Sequence, residues 1–80
     1  MEAEKVTKSE LIDAYDELGM TQLLSAVFMG DPAIVQELLQ QGASPNKPQR
    51  DDPSATPLWH AEEDFGLFEV AQVLRAHGAR

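Results

Sequence analysis

The strongest constraint on this chain is an internal repeat. Thr21-Gln22-Leu23 matches Thr56-Pro57-Leu58, and Ala26 matches Ala61. Gly30 and Gly66 are each followed twelve residues later by a glycine-alanine pair, Gly42-Ala43 and Gly78-Ala79. Between those glycines, Ile34, Gln36 and Leu38 align with Val70, Gln72 and Leu74. The two threonines lie 35 residues apart. A unit this short cannot bury its own apolar face, so each copy must lean on a neighbour, and the chain is expected to be a small stack.

Local signals say what is stacked. Asp31-Pro32 and Thr56-Pro57 each combine a side chain that caps free amides with a proline that needs no amide partner in the first helical turn. Ile34, Val35, Leu38 and Leu39 then form one apolar stripe, as do Val70, Ala71, Val73 and Leu74. Glycine closes each stripe. Upstream, Leu11, Ile12, Tyr15 and Leu18 recur at helical spacing behind Ser9, with Glu10 and Asp13 suited to the positive end of the dipole and Gly19 as the stop. Helices are therefore predicted near 9–18, 21–29, 32–41, 57–64 and 67–77. Residues 43–55 hold three prolines and no apolar periodicity, and read as an extended loop with turns.

With these residues in view the chain resembles the ankyrin-repeat family. Thr56-Pro57-Leu58, Ala26 or Ala61, Gly30 or Gly66, Glu69-Val70, Gly42-Ala43, Asn46 and Asp51 fall on the family pattern, over about Met20 to Arg80. The resemblance implies an all-α fold: an N-terminal capping helix plus two ankyrin-like helix-turn-helix repeats joined by a long hairpin loop. As one domain of 80 residues this divides into a flexible tail 1–8, a capping helix 9–19, repeat 1 at 20–46, a loop 47–55 and repeat 2 at 56–80. Leu11, Ile12, Tyr15 and Leu18 would cover the open side of repeat 1. The chain departs from the pattern where Leu24 and Trp59 replace the histidine after Thr-Pro-Leu. It also carries two extra residues around 48–50, and one extra residue before Gly66, with Glu62 at a normally small, buried position. The helix over 57–64 is expected to be distorted or short.

Charge narrows the partners. Fourteen acidic against six basic residues give a net charge of −8, which repels nucleic-acid phosphates and anionic lipid and favours a protein partner with a basic surface. There is no cysteine, so disulfides, zinc-thiolate sites and cysteine nucleophiles are excluded. The longest apolar run is Ala26-Val27-Phe28-Met29, and the N-terminus lacks a basic start followed by an apolar stretch. A cytoplasmic protein is expected, monomeric or weakly self-associating.

Candidate chemistry is sparse. His60 and Asp64 stand four apart, on one face of a regular helix, but a metal site needs three or four ligands and His77 alone is left over. No phosphate-binding glycine loop or nucleophile elbow is present, so no catalytic residue, metal or cofactor is assigned. The resemblance implies that the two residues just before Gly30 face a concave binding groove. Phe28 and Met29 stand there, with Glu63 and Asp64 at the corresponding place in repeat 2. Asp51 and Asp52 at the hairpin and the aromatic Trp59 complete the expected partner-binding set. The function implied is non-catalytic protein binding, as a small acidic inhibitor or immunity-type protein. A subunit or adaptor role is the alternative, and a small metal-dependent or hydrolytic enzyme using His60 a more distant one.

Overall fold

The computed structural model describes residues 11–80. Two helix pairs stack side by side. The first pair is α1, Gln22–Met29, and α2, Pro32–Gln40. The second begins with α3, Pro57–Trp59, which runs straight into a π-helical turn, His60–Asp64, and ends with α4, Phe68–Ala76. Among the described residues no strand forms; one antiparallel bridge, Gln49 to Asp52, marks the hairpin tip. No helix among them is long and apolar enough to cross a membrane.

The caps are those the sequence signals. Thr21 Oγ1 accepts from the Leu24 amide at 3.1 Å, and Thr56 Oγ1 from the Trp59 amide at 3.1 Å. Asp31 Oδ1 accepts from Ala33 N at 3.0 Å, with Pro32 opening α2. Each such cap is worth about 1 kcal/mol. Leu23, Ala26, Val27, Val35 and Leu39 of the first pair meet Leu58, Ala61, Val70, Ala71 and Leu74 of the second in one core. Asn46 fastens the far end, its Nδ2 donating to Gly78 O and its Oδ1 accepting from Arg80 N.

Aligning the repeats residue by residue explains the two ends of the stack. Val27 and Leu39 of repeat 1 are covered by repeat 2. Their counterparts on the outer side of repeat 2 are Glu62 and Arg75, which form an ion pair with each other. Polar replacements thus close the C-terminal end. At the other end, Ile34 and Leu38 correspond to Val70 and Leu74 yet stay only partly buried, because nothing comparable is stacked over them among the described residues. The stripe expected at 34–39 is therefore split: Val35 and Leu39 are core, Ile34 and Leu38 its margin.

The N-terminal segment departs from expectation. Of the helix predicted over 9–19, Leu11 and Ile12 are helical, and the chain leaves the helix at Asp13; Ser9 and Glu10 lie outside the described residues, as does the tail 1–8. Specific bonds to the loop replace the helical ones. Asp13 Oδ1 accepts from Ser44 N at 2.9 Å, and Lys47 Nζ donates to Asp13 O at 2.6 Å. Tyr15 Oη donates to Pro48 O at 2.6 Å, with the Lys47 ammonium 4.5 Å above its ring. Asp16 Oδ1 accepts from both Leu18 N and Met20 N, closing a turn rather than a helix. Of the four residues expected to cover repeat 1, Ile12 is buried and Tyr15 partly so, whereas Leu11 and Leu18 face solvent. Gly19 sits at φ +78°, its carbonyl accepting from Arg50 N at 2.9 Å, and a Cβ there would lie 3.2 Å from Arg50 Cβ.

The extra residue of repeat 2 is absorbed inside its first helix. Thr21 to Gly30 spans nine steps and Thr56 to Gly66 spans ten. The surplus widens one turn: Phe65 N donates to His60 O at 2.9 Å, a five-residue closure. The helix expected over 57–64 is thus α-helical only to Trp59. Ala61 before the surplus and Val70 after it both stay in the core.

Candidate protein-binding surface

The widened turn and α1 build an aromatic cluster around one buried imidazole. His60 is 4% exposed. Its Nδ1 lies 3.2 Å from Asp64 Oδ2 and its Nε2 2.8 Å from the side-chain amide of Gln49. Nδ1 faces the Asp64 carboxylate and Nε2 faces the Gln49 amide oxygen, so each ring nitrogen has a hydrogen-bond partner, with the roles set by the tautomer. Neither ring nitrogen is left over for a metal or a substrate proton. Among the described residues no three His, Cys, Asp or Glu side chains are grouped to hold a metal ion.

Three aromatic rings rest on this hub. Phe28 meets His60 edge-on at 4.8 Å and Phe65 edge-on at 4.9 Å. Trp59 meets His60 edge-on at 5.0 Å, and Phe65 lies nearly parallel to it at 6.0 Å. Edge-to-face pairs at such separations suit the ring quadrupoles and add about 0.5–1.5 kcal/mol beyond area burial. The rings are nonetheless far from buried: Phe28, Trp59 and Phe65 are 47%, 43% and 40% exposed. Their positions are set from beneath while their outer edges face solvent.

The seven residues expected from sequence are all exposed, and the structure gathers some of them. Phe28, Trp59 and Asp64 meet around His60. Met29 extends from the opposite side of α1, where it lines a groove with Met20, Ile34 and Leu38. Glu63 faces the C-terminal end, beside Glu62, Trp59 and Arg80. Asp51 lies at the hairpin tip, 3.7 Å from Arg50 Nε. Asp52 accepts from Ser54 N and Ser54 Oγ, so part of its role is to shape the turn. Asp52 connects to the cluster through Gln49, which bridges to it and reaches His60.

Phe65 and Gln49 are not among the residues expected from sequence. Counting back from Gly66, as from Gly30, puts Phe65 at the place of Met29 and would have found it. Gln49 had no signal, since its partner depends on how the hairpin folds back.

Residues 19–51, which hold α1, α2 and the outgoing arm of the hairpin, match the family model of the ankyrin repeat. Repeat 2 lies beyond that match, and its likeness rests on its correspondence with repeat 1. No curated protein and no solved structure matches the chain.

Proposed function

From an ankyrin repeat at residues 19–51, a module typically non-catalytic and used to bind other proteins, we propose that this chain is a cytoplasmic inhibitor or immunity-type protein that holds a basic-rimmed partner. The observation that carries this reading is the half-exposed strip of Phe28, Phe65 and Trp59, pinned by buried His60. Aromatic side chains with fixed rotamers lose little entropy on binding, and desolvating them supplies the anchoring energy of many interfaces. Asp64 borders the strip, Glu63 stands farther out, and the hairpin contributes Asp51 and Asp52. On a chain of net charge −8 these carboxylates would draw in a basic surface and orient it. An inhibitor needs one such face to block a partner's working surface.

The test is binding kinetics with the partner obtained by affinity capture on the wild-type chain. Phe28→Ala should raise the dissociation rate by about tenfold or more, as for a desolvated anchor. Glu63→Gln with Asp64→Asn should instead slow association and flatten its salt dependence. Both variants should keep wild-type helicity. Unchanged rates for both, with helicity intact, would place the interface elsewhere.

A further inference from the structure

Among the described residues, nothing is stacked over the N-terminal end of the helix pairs. Ile34 and Leu38 of α2, Ala26 and Met29 of α1 and Met20 of the preceding turn line a groove of about 290 Å³. Asp16, Gln22 and Ser25 supply its polar rim, and among the described residues no lysine or arginine lines it. The equivalent face of repeat 2, with Val70 and Leu74, is fully covered by the helices of repeat 1. The shape and chemistry of this face are therefore those of a surface that packs against helix.

We infer that this groove receives an amphipathic helix of a partner protein, one that carries basic residues beside its apolar stripe. Its two methionines are unbranched and polarisable, and adapt to an incoming side chain at little cost. Charge selects the flanks: Asp16 lies in the rim, Glu17 is exposed beside it, and exposed Glu37 stands one turn along α2 from Ile34. Among the described residues, the Arg50 guanidinium is turned to the Asp16 carbonyl on the hairpin side. A second copy of this chain does not fit. Its opposite end presents the Glu62–Arg75 ion pair, and two grooves face to face would oppose Asp16, Glu17 and Glu37 of chains that each carry a net −8. The site is separate from the aromatic strip, so the two proposals stand or fall apart. Occupation of both would make the chain an adaptor rather than a blocker.

The probes are a synthetic Leu/Lys amphipathic helical peptide and a Leu/Glu counterpart of equal length, titrated calorimetrically into the full chain. Saturable one-to-one binding of the Leu/Lys peptide, weakened by salt, is expected, with none for Leu/Glu. Ser25→Lys, from within the groove, and Gln22→Lys, from its exposed rim, should each lower the affinity by about tenfold or more, equivalent to 1.4 kcal/mol. Gln22→Lys keeps the test valid if Ser25→Lys disturbs folding. Phe28→Ala should leave the affinity within about twofold of wild type, since its ring faces repeat 2. Three results would overturn the inference: no saturable binding of the Leu/Lys peptide, loss of binding in Phe28→Ala but in neither lysine variant, or self-association of the wild-type chain that Gln22→Lys abolishes.

Discussion

Leu38 and Leu74 hold the same place in the two repeats, and truncating each to alanine separates what the repeat contributes from what stacking contributes. Leu74 is 0% exposed, enclosed between the two helix pairs. Removing three carbons forfeits about 2.4 kcal/mol of transfer free energy at roughly 0.8 kcal/mol per methylene. An enclosed void of about 60 Å³ adds roughly 1.5 kcal/mol, because the surrounding side chains relax only in part. The total for Leu74→Ala is about 4 kcal/mol. Leu38 borders the open groove, so its loss leaves a dent that water can reach instead of a void. Only the covered part of its transfer term is lost, about 1–2 kcal/mol. A chain of this length has a net stability of only about 4–12 kcal/mol, with the low end expected for so small a core. Urea unfolding followed by far-ultraviolet circular dichroism reads the difference. With a slope near 1 kcal/mol per molar, Leu38→Ala should lower the midpoint by about 1–2 M, while Leu74→Ala should leave little or no folded baseline. Equal shifts, or a larger one for Leu38→Ala, would refute the view that only one of the two positions is covered.

Other outcomes follow from the same contacts. Replacing the ion pair by the apolar residues of repeat 1, as Glu62→Val with Arg75→Leu, should make the C-terminal end complementary to the open N-terminal end of another copy. Sedimentation should then show concentration-dependent head-to-tail growth rather than a closed dimer, and a strictly monomeric variant would contradict the assignment of the two faces. His60→Ala should cost about 2–4 kcal/mol and red-shift the emission of Trp59, whereas Gln49→Ala, which removes one bond to the ring, should cost about 1 kcal/mol; thermal unfolding and fluorescence compare them. Gly19→Ala should cost about 1–2 kcal/mol, since alanine is strained at that φ and its Cβ meets Arg50, and a melting temperature unchanged from wild type would count against it.

The parts of the fold legible in the sequence are those governed by neighbours along the chain. Thr21, Asp31 and Thr56 cap their own helices, and Gly30 closes α1 through bonds to Ala26 and Val27, all within a few residues. The segment 13–20 was not legible in this way. Its apolar spacing is helical, but Asp13, Tyr15 and Asp16 find better partners in a loop some thirty residues downstream and in their own turn. The site divides likewise. Phe28 and Met29 could be placed from their distance to Gly30, whereas the buried role of His60 depends on Gln49, brought to it by the fold of the hairpin.

The widened turn at His60–Asp64 bears on how such a surface could diversify. Insertions are commonly accommodated in loops, where they lengthen a connection and leave the working face alone. Here the insertion behaves as a frameshift confined to one turn. Leu58 and Ala61 before it, and Val70 and Leu74 after it, keep their stations in the stack. The residues between are rotated relative to the first repeat, by about 100° for one residue's worth of helix. That rotation is what sets Phe65 against Phe28. Lengthening or shortening this turn by a residue would redraw the aromatic face while every core contact stayed in frame.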